Sequence, residues 1–263
     1  MEGREVSNGN GPTPASYEMA DDDYVPPFFA LNGDYEDADF EFETATAREP
    51  LRVKVTGWRQ AGCDIIWSTI MPELVALNLD QLVGRTALEL GAGCGLVGLV
   101  ASHTADQVVI TDGDVLEVSL CKENVDRHAP SGARVEAAHL AWGEGPARTA
   151  QEKGLLGGVG TFDIIFASQV TYVPACIPAL VQTFATLLAP GGEVWMFNDR
   201  VSYSLGPEGQ AECRACLDRA LSTHGLVVAG AGADAGWRLP PAFAALPDWA
   251  YLLRLRRKSP EAG

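Results

Sequence analysis

A run of glycines interrupts this 263-residue chain just after a short apolar stretch: Leu88-Glu89-Leu90-Gly91-Ala92-Gly93-Cys94-Gly95-Leu96-Val97-Gly98. Glycine tolerates positive φ and lets another molecule approach the backbone without meeting a Cβ, so a strand-to-helix turn of this composition suits a ligand lying along it. Amide donors at the start of the following helix favour a carboxylate or phosphate. Asp112 ends the run Val108-Val109-Ile110-Thr111, twenty-one residues beyond Gly91. An acid about 20 residues past such a loop is where a ribose diol is gripped by two hydroxyl hydrogen bonds, and its charge disfavours a 2′-phosphate. Loop and acid together point to a nucleoside ligand, although each alone also occurs for packing or turn reasons.

Two cofactors satisfy that pair. Gly93-x-Gly95-x-x-Gly98 matches the dinucleotide fingerprint, but its first glycine then falls two residues past the strand end. Gly91-x-Gly93-x-Gly95 begins at the strand end, which suits the methionine part of S-adenosylmethionine. Trp142, in Leu140-Ala141-Trp142-Gly143, either stacks on or edges against an adenine or packs as a core indole. The four histidines (His103, His128, His139, His224) fall singly and there is no Gly-x-Ser-x-Gly elbow, which disfavours hydrolase and metal chemistry. Cys213-x-x-Cys216 has no second Cys or His pair at zinc spacing, so no metal is expected.

The elements that must carry these residues follow from the apolar pattern. Strands are expected at Thr86–Leu90, Gln107–Thr111, Val135–Ala138, Asp163–Ala167, Glu193–Asn198, Leu226–Ala229 and Trp249–Leu255. Helices are expected over Leu96–His103, Val115–His128, Ile177–Leu188 and Gln210–His224, with a helical pattern from Ile65 to about Leu82. This alternation predicts an α/β fold with a doubly wound, mostly parallel sheet whose ligands lie at the carboxyl ends of its strands. Phe40-Glu41-Phe42-Glu43 and Leu51-Arg52-Val53-Lys54-Val55 alternate with period two and predict an N-terminal β-hairpin extension. Ala147–Gly160 is glycine rich without periodicity and is expected to be a surface loop.

Residues 1–38 are expected to be an acidic disordered tail, 39–258 the catalytic-type domain and 259–263 a second tail. Residues 1–50 hold thirteen acids against two bases, most of the net charge of −16. So acidic a chain lacks the clustered Lys and Arg of a nucleic-acid surface. No stretch approaches the roughly 18 consecutive apolar residues of a membrane span. The start of the sequence has no secretory signal, and the cysteines are scattered as small buried thiols. A cytoplasmic protein, nuclear as well in some settings, and a monomer is expected.

In its motifs the chain resembles the seven-β-strand protein-lysine methyltransferases of methyltransferase family 16, methyltransferase-like 21 type. The matching stretches are Gly62-x-x-Ile65-Ile66-Trp67, Leu88–Gly98, Ile110-Thr111-Asp112, Leu140–Gly143, Phe162-Asp163-Ile164-Ile165-Phe166-Ala167-Ser168, and Arg200. The resemblance implies a Rossmann-like seven-stranded sheet whose last strand is antiparallel. It implies S-adenosyl-L-methionine as cofactor and a protein substrate methylated on a lysine. It implies that Trp67 caps the methionine end, that Glu89 and the loop Gly91-Ala92-Gly93 bind the cofactor, and that Asp112 holds the ribose. It also implies that Trp142 and Ser168 border the adenine and the methionine.

One departure bears on mechanism. The family carries an acidic D-x-x-Y motif after the fourth strand, where this chain reads Gln169-Val170-Thr171-Tyr172. Gln169 and Tyr172 are therefore the candidate catalytic residues, with Gln169 offering a carbonyl to a substrate N–H but no charge. Three readings stay open: a lysine methyltransferase with an acid supplied from elsewhere, a methyltransferase for a neutral nitrogen such as histidine or an amide, and an inactive binding or scaffold protein. Under the lysine reading, Gln169→Asp is expected to raise activity.

Overall fold

Glycine-bounded apolar runs become the strands of one sheet. In a computed structural model of the chain, residues 34–45, 48–59, 68–199 and 206–259 are described. The expected tail up to residue 33, Trp67 and Arg200 lie outside the described residues. Strands β3 (Thr86–Leu90), β4 (Gln107–Asp112), β5 (Val135–His139), β6 (Phe162–Ser168), β7 (Leu188–Asn198), β8 (Leu226–Ala231) and β9 (Tyr251–Arg257) lie in the order β5-β4-β3-β6-β7-β9-β8. β9 runs antiparallel to both β7 and β8, and the pairs from β5 to β7 are parallel.

Strands buried on both faces carry nearly continuous apolar runs. In β4, Val108 and Ile110 face one core and Val109 the other; in β7, Trp195 and Phe197 oppose Val194 and Met196. Helices α1 (Ile70–Leu77), α2 (Leu96–Ala101) and α3 (Val115–His128) cover the first face. Helices α4 (Glu144–Glu152), α5 (Ile177–Leu187) and α6 (Gly206–Thr223) cover the second. Chain order reverses between β3 and β6, the switch point at whose carboxyl ends such sheets have the crevice that takes ligands.

α4 corrects the first part of the expected loop over Ala147–Gly160, up to Glu152, while residues 153–160 form turns as expected. Its buried stripe is only Ala147 and Ala150, side chains too small to announce a helical period, and its start is braced by an Arg148–Glu144 pair one turn apart. Cys213 and Cys216 lie on α6 as free thiols, Cys213 within the core. Among the described residues no group of three His, Cys, Asp or Glu is placed to hold a metal, and no helix is long and apolar enough to cross a membrane.

Strands β1 (Asp34–Phe42) and β2 (Leu51–Arg59) form the expected antiparallel hairpin. It is fastened to the sheet by one fully buried amide. Asn124 of α3 accepts from the Thr56 N–H at 2.7 Å and donates to the carbonyls of Thr56 (2.7 Å) and Cys94 (2.9 Å), tying β2 to the glycine loop. Asn124→Ala leaves three buried backbone groups without their partner, so a loss of about 2–4 kcal/mol is expected in chemical denaturation. Faster amide exchange of Gly93 and Gly95 should accompany it, because the Cys94 carbonyl belongs to the same loop.

Candidate functional site

The glycine loop leaves β3 where β6 stands beside it, with Leu90 in register with Ala167. Gly91 has φ +65°, and a Cβ there would lie 2.7 Å from Val170 Cγ1 and 3.1 Å from Trp142 Cζ2. No other residue type fits without displacing that wall. Gly93 also has positive φ (+55°), but an added Cβ would meet nothing within 4 Å, so its outer side is open to a ligand. Trp142 is half-buried with its ring against Gly91, and Ser168, partly exposed, ends β6 opposite Phe197.

The loop is held from beneath by two carboxyl groups. Asp112, at the end of β4, accepts the Gly93 N–H on Oδ2 and the Asp114 N–H on Oδ1, both at 3.0 Å. Each oxygen keeps acceptor capacity for a further donor, the requirement for gripping a diol. Burial raises the Asp112 pKa, against the lowering effect of those two N–H groups. The Ala92 N–H donates to the Thr111 carbonyl (3.0 Å) and Cys121 Sγ to the Gly93 carbonyl (2.9 Å), which fixes the loop to β4 and α3.

Glu89 is the second. It is 4% exposed and accepts the Gly98 N–H at 2.7 Å, so it reaches the start of α2 from inside the protein. Burial, then the nearby Asp112 charge, raise its pKa to about 8 against the Gly98 and Val97 amides. The amides expected to meet a ligand's carboxylate or phosphate are in this way partly taken by the chain's own carboxyl. α2 has only six residues.

At the end of β6 the chain turns through Gln169, which has φ +59°, the one positive φ outside glycine among the described residues. Its backbone N–H donates to the Phe197 carbonyl at 2.9 Å. Its side chain is 5% exposed and closes a two-point pair with Asp199: Nε2 donates to Oδ1 at 2.5 Å, and the Asp199 N–H donates to Oε1 at 3.2 Å. Ser68 Oγ donates to the other carboxylate oxygen at 3.4 Å. The Gln169 carbonyl expected to face substrate is therefore engaged within the protein. Thr171 shares a short hydrogen bond with the Tyr251 hydroxyl of β9, and Tyr172, half-buried, follows it on the same turn. Asp199 is the functional candidate that the sequence reading missed. The available signal was Asn198-Asp199-Arg200 at a strand end beside the crevice, of which only Arg200 drew notice.

A doubly wound sheet with a tight glycine turn at its switch point and a braced carboxylate on the next strand defines a nucleoside-binding α/β domain. The chain belongs to the lysine methyltransferase family, whose model matches residues 58–203. It is similar to the protein N-lysine methyltransferase METTL21A of Danio rerio, 30% identical over 151 residues that cover 56% of this chain and 65% of that protein. It is also similar to the protein N-terminal and lysine N-methyltransferase EFM7 of Eremothecium gossypii, 32% identical over 184 residues, 64% of this chain and 67% of that protein. The matched stretch spans 65% and 58% of the length of the METTL21A relatives from Danio rerio and Xenopus tropicalis. An O-methyltransferase family protein from Burkholderia thailandensis shares the fold, with TM-score 0.50 and 16% identity over 73% of this chain and 56% of that one.

Two outcomes follow from the loop. Gly91→Ala combines a left-handed backbone, costing about 1–3 kcal/mol, with the clash on Val170. It should lower stability in chemical denaturation and reduce S-adenosylhomocysteine affinity on the order of tenfold or more. Gly93→Ala, whose Cβ meets no protein atom but stands on the side open to a ligand, should cost less stability while also weakening binding; denaturation with calorimetry on both decides. Glu89 holds a proton in the folded chain that the unfolded chain releases, since its folded pKa of about 8 exceeds the free value of 4.5. Its contribution to stability is full below 4.5 and is lost as pH rises through about 8. Glu89→Gln keeps an acceptor for Gly98 without the titration, so its melting temperature should fall less than the parent's between pH 6 and 9.

Proposed function

We propose that this chain is an S-adenosylmethionine-dependent protein N-methyltransferase that acts on a lysine side chain. The observation that carries the proposal is Asp112, held by the amides of Gly93 and Asp114 with both oxygens still able to accept, beside a glycine turn at the switch point of the sheet. Membership of the lysine methyltransferase family supports the activity and the class of substrate.

The residues fit the cofactor. Asp112 would hold the ribose hydroxyls, the Cβ-free backbone of Gly91–Gly93 would lie along the methionine, and Trp142 would wall the loop on the nucleoside side. When bound, S-adenosylmethionine supplies an electrophilic methyl on a sulfonium sulfur. The protein's task is then alignment of the acceptor nitrogen, the kind of contribution that proximity makes large. A lysine must also reach the site unprotonated, at a cost of about 4–5 kcal/mol at pH 7, which partial desolvation at the crevice reduces. A protein substrate, a cytoplasmic or nuclear setting and a monomeric state belong to this same reading. So does the division into an acidic tail, a catalytic domain up to residue 258 and a short tail over 259–263, with the tail, expected over 1–38, ending before β1 because residues 34–38 pair with β2. The readings as an inactive scaffold or as a methyltransferase for a neutral nitrogen rested on a missing acid and are not favoured, because a carboxylate stands beside Gln169.

Purified protein incubated with tritiated S-adenosylmethionine and an undermethylated lysate should label a discrete protein band, with methyl-lysine recovered on hydrolysis. Asp112→Ala, which removes the ribose acceptor while leaving both cores intact, should label nothing. A wild-type protein that binds S-adenosylhomocysteine yet labels no protein would sink the reading.

A further inference from the structure

Gln169 and Asp199 come from the ends of adjacent parallel strands, thirty residues apart, at the rim of the crevice next to the glycine turn. Val170, the residue after Gln169, packs on Gly91, so the pair stands beside the loop rather than at a distant edge. The orientation of the glutamine amide is settled by its partners. Nε2 faces a carboxylate oxygen and Oε1 faces a backbone N–H, and a flipped amide would set oxygen against oxygen and N–H against N–H. Both ends of the Gln169 side chain are thereby engaged. Among the described residues, the Asp199 carboxylate receives one donor on each oxygen, from Gln169 and Ser68, and a carboxylate oxygen can accept more than one.

We propose that Asp199 is the group that receives the substrate's protonated amine, and that Gln169 is a positioning residue that aims it. The inference rests on the methyltransferase reading above and names the residue that recognises the acceptor. Gln169 maintains a left-handed backbone that glutamine rarely adopts, and the two-point pair with Asp199 is the interaction that compensates. An imidazole or amide N–H can also donate to a carboxylate, but an ammonium adds the attraction between two full charges, which salt screens. The single substitution Gln169→Asp then has the opposite sign from the one the sequence suggested: it removes the Nε2 donor and sets two carboxylates face to face, which lowers activity.

The test is Asp199→Asn, since the asparagine oxygen can still accept from Gln169 and its Nδ2 can donate to the Ser68 hydroxyl in place of accepting from it, but it carries no charge. Initial rates of tritium transfer to the labelled lysate band are measured against lysate concentration, at low and high salt, with S-adenosylhomocysteine affinity as a second readout. The expected result is cofactor affinity within about twofold of wild type, with apparent KM raised roughly ten- to a hundredfold and its salt dependence reduced. Should Asp199→Asn fail to fold, Gln169→Asp combined with Asp199→Gln re-forms the pair in reverse and should recover activity that Gln169→Asp alone loses. A folded Asp199→Asn with wild-type KM and salt dependence, or a folded double variant with no recovery, overturns the assignment while the methyltransferase reading stands. A wild-type protein that labels nothing overturns both.

Discussion

Everything at the carboxyl end of the sheet depends on a buried carboxyl beneath the glycine turn. Glu89 reaches up from β3 to the Gly98 amide, and the turn between them has to pass over it. An ionised carboxyl in such a place is costly unless its hydrogen bonds are met, which is why its pKa rises to about 8 even with two amides directed at it. The same contact explains a glycine that resembles a cofactor motif. A Cβ on Gly98 would stand 2.8 Å from the Glu89 carboxyl and 2.5 Å from Ile110 Cγ1, so that glycine is required by helix-to-strand packing. Gly91, at the strand end, is required by its positive φ and by the Val170–Trp142 wall, so the last glycine of the spacing Gly93-x-Gly95-x-x-Gly98 reflects packing beneath the turn.

From that turn the constraint spreads outward in both directions. On one side the Cys94 carbonyl accepts from Asn124, which holds the β2 strand of the hairpin, so one side chain joins an element outside the main sheet to the glycine loop. On the other side Val170 and Trp142 close on Gly91, and the turn carrying Val170 is itself pinned by Gln169 to Asp199 and by Thr171 to Tyr251 of the antiparallel strand β9. β9 therefore does more than complete the sheet: the hydroxyl of its first residue steadies the turn that faces the glycine loop.

The parts legible in the sequence were those whose physics is local. Strands buried on both faces announce themselves as uninterrupted apolar runs, and β3 and α3 fall on their expected residues. The glycine turn and Asp112 were legible because ligand approach and diol binding demand particular residue types at a particular separation. α4 was hidden because alanine fills its buried stripe, leaving no contrast between a helix face and a glycine-rich surface segment. Asp199 was hidden for a different reason. Its partner lies thirty residues away, and only the parallel register of β6 with β7, Ser168 opposite Phe197, brings the two together. Without that register Gln169 is an acid lost from a motif; with it, the acid has moved to the neighbouring strand.

That displacement changes what a carboxylate can do at such a site. A single acid on the turn after β6 would have to adopt the left-handed backbone and meet the substrate with the same short side chain. Here the glutamine takes the backbone conformation and the aspartate keeps the charge, so geometry and electrostatics are supplied by different residues. The division also bears on the conflict inherent in methylating an amine, since a carboxylate that attracts an ammonium opposes the loss of its proton. With one donor already on each oxygen, Asp199 can orient an incoming cation without enclosing it in further acceptors, and the nitrogen lone pair that transfer requires is less firmly tied to a proton. Holding the charge at the rim through an amide is thus a physically sufficient alternative to placing it on the turn itself.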